Sequence, residues 1–545
     1  MYKVIINNKT YSYEEKKTLE QIANELNIKC YVAKVNNRLR ELTFYLNFDC
    51  EVEFLSLDNL EAVRVYQTTL RYIIAMAVKR VDSQARLVFN DYVSRSFIGY
   101  LENTSSAYNQ KYLNNIIKEV NKIIQANYSI IRHQEDKEDV LNIYKKEGYL
   151  DKYNVLQYRE DNKVNYYSCD GYIDYMYGYM LPSTGYIKDY VIKMHYPGFI
   201  IQYPRAEFKG EIPEFKDDPS FSKMIKNARD WRNLCGVDNI SSMNSFTNSK
   251  EIIQFMNMCE TKHNDMLAEL GQIIKQNIND IKLIAIAGPS SSGKTTFTNR
   301  LRIELLTKGI NPVMISMDDY YVNREDTPLG EDGKPDYESI YALDIDLFNQ
   351  QLVDLIQGEE VTLPLFDFKD GKRKVGKTVK LLPNQPILIE GIHALNEMIT
   401  ALIPKHQKFK IFISPHPQLN IDDHNPIMPT DLRLLRRIVR DARTRKTSPA
   451  TTFSMWESVR SGEFKWIYPW QKEADYVFNS SLTYEIMVMK KYALPALQSI
   501  KSNEEYYIQA NRFIKFLKYV KDVDDKYVPC NSILREFIGD SCFHD

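Results

Sequence analysis

The chain has 545 residues, which on ordinary domain sizes is enough for about three to four domains. Its 71 Lys and Arg residues nearly balance 72 Asp and Glu residues, which excludes a uniformly basic protein that coats nucleic acid and a protein with a long acidic tail. Apolar residues make up 44% of the chain, so we expect packed cores and not extended disorder.

The cysteine pattern and the apolar runs bear on cellular location. The seven cysteines include no C-x-x-C pair, which disfavours a disulfide framework or a cysteine-rich zinc site and is typical of a reducing cytosol. The N-terminal segment lacks a long apolar stretch, and no run approaches the roughly 18 apolar residues of a membrane span. We therefore expect a cytoplasmic protein with no membrane contact.

Residues 1–58 have the pattern of a small mixed domain. Lys3–Asn7, Tyr31–Val35 and Glu51–Leu57 read as strands, and a capping-box sequence at Thr18 predicts the start of a helix. Strands wrapped around a single helix indicate a β-grasp module.

Residues 59–235 are predicted to form an α+β domain. Tyr66–Val81 is apolar enough for a buried helix. The stretch 158–203 is rich in tyrosine, which is typical of a strand-rich core; the alternative is a set of stacking platforms for single-stranded RNA. Residues 236–280 are predicted to be a helical linker.

From Lys282 onward, short apolar strands alternate with helical patterns. The predicted strands are Leu283–Ala287, Pro312–Met317, Pro386–Glu390, Phe409–Ser414 and Asp475–Phe478. The predicted helices are Thr296–Lys308, Asp344–Gln357 and Asp431–Arg445. Such alternation predicts an α/β domain over residues 281–485, with a parallel sheet covered by helices on both faces, followed by C-terminal helices over 486–545.

The clearest motif is a phosphate-binding loop, or P-loop. It follows a predicted strand and opens a predicted helix, which is the setting in which backbone amides and a helix N-terminus bind phosphate. Lys294 is expected to bridge the β- and γ-phosphates, Thr295 to supply a hydroxyl to Mg²⁺, and Thr296 to contact the α-phosphate. The loop residues that match the motif are Gly288, Pro289, Ser290, Ser291, Ser292, Gly293, Lys294 and Thr295.

Carboxylates end the next two strands of the predicted sheet. Asp318 and Asp319 follow one strand, and ligands of open α/β sheets lie beyond such strand ends. We expect Asp318 to act as the base that accepts a proton from an attacking hydroxyl, with Asp319 as its neighbour. Glu390 ends a buried strand of the type whose acid holds Mg²⁺ directly or through water.

The segment 431–446 is a basic helix. Its arginines at positions 433, 436 or 437, and 440 share one face, and apolar residues lie toward the other. The stripe has few compensating acids and follows a phosphate-binding core. We therefore expect it to form an electrostatic clamp or lid over phosphates in preference to a solvated face.

Residues 281–480 resemble the uridine–cytidine kinase and phosphoribulokinase family. The resemblance runs in order through G-P-S-S-S-G-K-T-T, S-M-D-D-Y-Y, P-L-F-D-F, I-E-G and D-x-R-L-x-R-R-x-x-R-D. It implies ATP-dependent phosphorylation of a nucleoside or sugar hydroxyl, with Asp318 as base and Glu338 binding the ribose hydroxyls. It further implies that Tyr320 and Phe366 contact the substrate and that Arg437, Arg440 and Arg445 are lid residues, of which Arg437 touches the substrate and Arg440 and Arg445 touch the phosphates.

The pyrimidine-binding part of that resemblance is incomplete. Where uridine kinases carry a tyrosine and then a base-reading histidine, this chain has Phe366 and, without gaps, Gly371. Two hydrogen-bonding groups for a base are therefore missing, which predicts relaxed or altered base specificity.

The N-terminal third resembles other proteins. Residues 1–58 are similar to the TGS domain, and about 60–235 are similar to the second additional domain of threonyl-tRNA synthetase, through the sequence Leu181-Pro-Ser-Thr-Gly. In the synthetase, paired His and Cys motifs form the editing site. The corresponding positions here are not zinc ligands, so editing is not expected; these positions are Thr68, Tyr72, Met176 and Met180.

Together these observations predict a P-loop kinase that uses ATP and Mg²⁺ to phosphorylate the 5′-hydroxyl of a uridine- or cytidine-like nucleoside. A sugar-phosphate acceptor, with Arg373 or Lys374 binding the acceptor phosphate, is one alternative. An RNA-binding regulator whose ATP site gates binding is another. RNA or protein contact through the N-terminal module, and self-association, stay open as partners.

Overall fold

The structure is a computed structural model that describes residues 1–246, 249–330 and 333–543. Within it, residues 247 and 248 of the predicted linker, residues 331 and 332 of the predicted kinase domain and the last two residues lie outside the described part of the chain. None of the helices described is long and apolar enough to cross a bilayer.

The first 55 residues form a five-stranded mixed sheet beside one helix. β1 runs parallel to β7, the other neighbours are antiparallel, and the strand order is β2-β1-β7-β4-β5. The predicted capping box is present, because the side chains of Thr18 and Gln21 each bond the other residue's backbone amide. The elements are β1 (Tyr2–Ile6), β2 (Lys9–Tyr13), β3 (Lys17–Thr18), α1 (Leu19–Glu25), β4 (Val32–Val35), β5 (Arg38–Arg40), β6 (Tyr45–Leu46) and β7 (Cys50–Leu55).

The second unit packs two antiparallel sheets around a long buried helix, α2. The sheets have the orders β13-β14-β9-β8 and β10-β11-β12. The elements are α2 (Leu60–Val81), β8 (Arg86–Val93), β9 (Ser96–Glu102), α3 (Gln110–Ala126), β10 (Ile131–Asp136), α4 (Lys137–Glu147), α5 (Leu150–Gln157), β11 (Lys163–Cys169), β12 (Tyr172–Asp174), β13 (Val191–His195) and β14 (Gly198–Gln202).

Tyrosines of the stretch 158–203 mostly serve this unit's core. Tyr166, Tyr167 and Tyr172 are buried, and of the nine tyrosines between positions 166 and 196 only Tyr196 is exposed. A stacking platform needs an open ring face, so the burial favours the core interpretation.

The C-terminal half contains a five-stranded parallel sheet, as the sequence predicts. Its strand order is β16-β19-β15-β20-β23. The elements are α6 (Pro219–Cys235), α7 (Ile240–Asn244), α8 (Ser249–Gln276), β15 (Leu283–Ala287), α9 (Lys294–Thr307), β16 (Val313–Ser316), α10 (Ile345–Ile356), β17 (Glu360–Asp367), β18 (Lys372–Lys380), β19 (Ile387–Glu390), β20 (Lys408–Ser414), β21 (Asn420–Asp422), β22 (Asn425–Pro426), α11 (Pro429–Thr444), α12 (Pro449–Gly462), β23 (Tyr476–Asn479), α13 (Glu485–Gln498), α14 (Tyr507–Leu517) and α15 (Arg535–Ile538).

Both faces of the parallel sheet are buried. In β15, Ile284 and Ile286 join a core with α8, α9, α11 and α13, whereas Leu283, Ala285 and Ala287 join a second core with α6 and α10. The predicted linker helix α8 is thus a packed layer of this unit. The sheet therefore holds the ends of its strands in a rigid row, from which the functional residues project.

Candidate active site

The P-loop connects β15 to α9 at the carboxyl edge of the sheet. Gly293 has φ +88° at the N-cap of α9, a left-handed conformation that disfavours other residues. Among the described residues, the hydroxyl groups of Ser291 and Ser292 are buried without hydrogen-bond partners. The Lys294 ammonium donates only a long bond of 3.4 Å, to the Pro289 carbonyl. The hydroxyl groups and the ammonium of this loop therefore have few hydrogen-bond partners among the described residues, as a phosphate site requires.

Three arginines of α11 donate hydrogen bonds to this loop. Arg433 Nε donates to the Ser290 carbonyl at 3.0 Å, and Arg437 donates to the Ser290 hydroxyl at 3.0 Å. Arg436 is fully buried and donates to the Ser292 carbonyl at 3.3 Å. Buried glutamates pair with two of them, Glu463 with Arg433 and Glu485 with Arg436.

This arrangement corrects the prediction of a lid for part of the basic helix. Arg433 and Arg436 are fixed supports of the P-loop, because breaking a buried ion pair is costly. The outer end of the helix differs: Arg440 is partly exposed and pairs with Asp441 at 3.0 Å, and the Arg445 side chain is 58% exposed. Only this outer end has the exposure that a movable clamp needs.

Asp318 and Glu338 converge on Lys294. Asp318 lies in the turn that follows β16 and is exposed, yet desolvation by the surrounding protein raises its pKa, Lys294 and Arg445 act to lower it, and Asp319 raises it further. Burial and the charge of Glu463 raise the pKa of Glu338 to about 7, against the opposing charges of Arg437 and Lys294. The charge of Lys294 therefore acts on two carboxylates whose pKa values are both raised, a combination typical of reaction sites.

The predicted magnesium ligands lie at the same edge. β19 is between β15 and β16, and Glu390 at its end is in register with Ile286 and Ser316. Thr295 begins α9 just after the loop. No cluster of three or more acidic, histidine or cysteine side chains suited to a metal occurs within the described residues. Mg²⁺ commonly takes one or two protein oxygens and completes its shell with phosphates and water, so this donor set fits that ion.

The structure places Tyr320 and Phe366, two predicted substrate residues, in different surroundings. The Tyr320 side chain is 1% exposed, packs edge-on against Phe348 and donates to Gln351 at 2.7 Å. The structure therefore does not bring Tyr320 to the site. Phe366 lies at the end of β17, with its amide bonded to Asp319 at 3.3 Å, and its ring packs near Tyr321.

Three residues near the site were missed by sequence reasoning. The Tyr321 phenol pKa is raised strongly by burial and by the charges of Asp318 and Glu338. His393 is 2% exposed, and neither ring nitrogen has a well-formed hydrogen bond among the described residues, although the Glu338 backbone is near. Burial lowers the His393 pKa to about 4, so it is a neutral imidazole. A Cβ on Gly462 would lie 2.4 Å from the Glu338 Cβ, so only glycine leaves room there.

The C-terminal segment contacts the P-loop. A Glu536 carboxylate oxygen accepts from the Thr296 amide at 3.0 Å, and Ile533 packs directly on Gly293. Phe537 lies over the Arg436 guanidinium at 4.9 Å. An acid from the end of the chain therefore engages the amide of Thr296, the residue that is expected to contact the α-phosphate. The only sequence signal for this contact is that the last helices are apolar enough to pack on the sheet domain.

Comparison with known proteins locates the similarity in the C-terminal half. The model of the phosphoribulokinase / uridine kinase family matches residues 283–487. Uridine kinase of Macrococcus caseolyticus is 31% identical over 218 residues, which are 39% of this chain and 96% of that protein. Uridine kinase of Staphylococcus carnosus is 29% identical over 234 residues, 42% of this chain and all of that protein. The solved structure of a possible uridine kinase from Bacillus stearothermophilus is 23% identical and covers 39% of this chain and 100% of its own, with a TM-score of 0.27.

Proposed function

The chain belongs to the phosphoribulokinase and uridine kinase family, and we propose that it transfers the γ-phosphoryl group of ATP to the 5′-hydroxyl of a uridine- or cytidine-like nucleoside. The observation that carries the proposal is the convergence of Asp318 and Glu338 on the P-loop lysine, Lys294. One carboxylate can take the proton of the acceptor hydroxyl while the other binds neighbouring hydroxyls.

Each residue has a definite part in the proposed reaction. Asp318 accepts the proton as the acceptor oxygen bonds to the γ-phosphorus, and the bond from that phosphorus to the β–γ bridging oxygen breaks. Lys294, the loop amides and the outer arginines Arg440 and Arg445 stabilise the charge on the phosphates. Thr295 and Glu390 would hold Mg²⁺, which neutralises phosphate charge when bound.

The acceptor pocket lies beside Glu338. Neutral His393 lies near the Glu338 backbone, and the charge of the Glu338 carboxylate acts on the Tyr321 phenol, so both side chains can supply hydrogen-bonding groups for sugar hydroxyls. The aromatic side chain of Phe366 can cover a base without reading its edges, so we expect several nucleosides to be accepted.

A sugar-phosphate acceptor is less well supported. The two cations that would bind its phosphate are already neutralised: Arg373 pairs with Asp344 at 2.7 Å, and Lys374 pairs with Asp367 at 2.6 Å and Asp370 at 2.9 Å. An uncharged acceptor leaves these pairs intact.

The test is a panel of nucleosides and pentose phosphates, with purified protein and Mg·ATP, in which phosphorylated product is measured directly. We expect turnover of pyrimidine nucleosides and at least 100-fold lower kcat/KM for pentose phosphates. The matched Lys294→Ala variant should lose activity on every acceptor. Turnover of pentose phosphates alone would establish the alternative acceptor, and no turnover of any compound would refute the kinase assignment.

A further inference from the structure

A separate cavity of about 340 Å³ lies where the three units meet. Its walls include Arg38 from β5, Thr68 from α2, Arg132 from β10 and Lys515 from α14. Of the residues that the structure describes, those lining this cavity include neither the P-loop nor its two convergent carboxylates. It is therefore distinct from the phosphate-transfer site.

The lining of this cavity is strongly positive. It contains eight arginine or lysine side chains and two acidic ones, Glu61 and Asp431. Some of the cations are structural: Arg64 and Arg512 share Asp431 at 3.3 and 2.5 Å, and Arg159 pairs with Asp161 at 2.7 Å.

The remaining cations have no acidic partner within ion-pair distance among the described residues; they are Arg38, Arg40, Arg71, Arg132 and Lys515. Arg71 is 6% exposed; its terminal nitrogens donate to the His424 carbonyl at 2.8 Å and the Thr68 hydroxyl at 3.2 Å, and its Nε lacks a hydrogen-bond partner among the described residues. Desolvation and the neighbouring charges of Arg132 and Arg40 lower the pKa of Lys515. Glu41, the acid near Arg132, is buried and engaged by Tyr167, and burial raises its pKa. Like charges held this close lower stability unless an anion joins them.

The cavity also offers flat aromatic walls. Arg132 and Lys515 both lie over the Tyr179 ring, at 5.2 and 5.9 Å, and Tyr167 and Phe516 line the interior. Arginines favour phosphate, and aromatic rings favour a planar group. The volume is at the small end of the range for small-molecule sites.

We propose that this cavity binds a small phosphate-bearing molecule with a planar ring, of the size of a nucleoside monophosphate. An RNA chain is disfavoured, because the cavity volume suits about one nucleotide and the tyrosines that line it are half-buried or buried instead of forming an open track.

The test is calorimetric titration of the full chain carrying Lys294→Ala, which weakens phosphate binding at the P-loop. The probes are UMP, AMP, inorganic pyrophosphate and uridine at low salt. We expect saturable binding of at least one monophosphate, weaker binding of pyrophosphate, at least 10-fold weaker binding of uridine, and a marked loss of affinity in 0.5 M NaCl. No saturable binding of either monophosphate, or equal affinity for pyrophosphate, would overturn the proposal.

Substitutions of two cations that line the cavity, Arg132 and Lys515, test whether the monophosphate binds there. In the Lys294→Ala background, Arg132→Ala and Lys515→Ala should each weaken monophosphate binding by about 10-fold. Lys122→Ala, which removes an exposed lysine of α3 that does not line the cavity, should not. Arg132 and Lys515 are exposed and contact mainly one ring, so the fold should survive, and unchanged circular dichroism checks this. Unchanged affinity in both variants would assign the binding to the acceptor pocket, and binding of a single-stranded RNA 12-mer without monophosphate binding would replace the small molecule with RNA.

Discussion

Around the P-loop, arginines are buried and paired, whereas in the cavity between the three units several cations are unpaired. Arg433 and Arg436 each have a buried glutamate and bond loop carbonyls. Arg71 and Lys515 have no acid within ion-pair distance in the described part of the chain. Cationic side chains therefore fix the geometry of a loop in one region, whereas in the other several of them lack an acidic partner.

The difference shows how to distinguish structural from functional charge. A paired arginine has satisfied its electrostatic requirement and mainly fixes geometry, but an unpaired one retains affinity for an anion. At the P-loop, the groups left for ligand are Lys294 and the loop hydroxyls, together with the outer arginines Arg440 and Arg445, which share the single carboxylate of Asp441 at 3.0 and 3.7 Å.

Asp318→Asn should reduce kcat on a nucleoside by about 1,000-fold, because an amide cannot accept the acceptor proton. The KM for ATP should change less than about 3-fold. Steady-state kinetics measure both. The matched control is Asp319→Asn: its carboxylate bonds the Phe366 amide at 3.3 Å, so the loss should stay under about 10-fold. Equal losses in the two variants would remove the distinction between these carboxylates.

Gly462→Ala should raise the acceptor KM by about 30-fold. The added methyl group would lie 2.4 Å from the Glu338 Cβ, and a shift of about 1 Å in a positioning residue can cost about 100-fold. Ser461→Ala, at the neighbouring exposed position, is the control and should behave as the parent. A normal KM in Gly462→Ala would mean that Glu338 does not position the acceptor.

Glu338→Gln tests the charge balance beside Lys294. The pKa of Glu338 in the folded protein, about 7, is above its ordinary value of 4.5. Between these two pH values the folded protein therefore keeps a carboxyl proton that the unfolded chain has lost. The contribution of Glu338 to the free energy of unfolding thus falls as pH rises from about 4.5 to 7. At pH 8 the free energy of unfolding of Glu338→Gln should be about 2 kcal/mol higher than that of the parent, a figure reduced for the partial exposure of Glu338.

The same substitution should remove a pH dependence of activity. Nucleoside kcat/KM of the parent should rise through about pH 7 as Glu338 ionises and can accept two hydroxyl hydrogen bonds, whereas the variant should lack this step. A step at pH 7 that persists in Glu338→Gln would assign the titration to another group.

Glu536→Gln should lower the KM for ATP by about 5-fold. The carboxylate holds the Thr296 amide at 3.0 Å, and a weaker acceptor would release it more readily to phosphate. Asp540→Asn removes a nearby exposed acid that does not touch the loop and serves as control. An unchanged or higher KM in Glu536→Gln would show that the C-terminal segment does not compete with nucleotide.

Lys515→Met should raise the free energy of unfolding by roughly 0.5 kcal/mol at low salt, because it relieves repulsion at the cavity mouth. The gain should shrink at high salt, which thermal or urea unfolding can measure. A loss of stability at low salt would indicate that Lys515 is structurally paired, like the arginines below the P-loop.

Local patterns in the sequence predicted much of the C-terminal half. The strand at Leu283–Ala287 has the predicted bounds, and the P-loop follows it as expected. Hydrophobic runs and a glycine-rich loop depend on neighbours in the chain, so they can be read from it. The β17–β18 hairpin was not predicted, because its exposed, charged second strand lacks a clear period.

The amino-acid sequence by itself determined the alternation of strands and helices, the phosphate-binding loop and the chemical identity of Asp318 as a strand-end acid. Only the tertiary structure decided that Tyr320 is buried, that His393 and Gly462 adjoin Glu338, that Glu536 reaches the loop, and which cations lack partners. The physical reason is that burial and charge pairing depend on groups distant in the chain, and no local pattern records them.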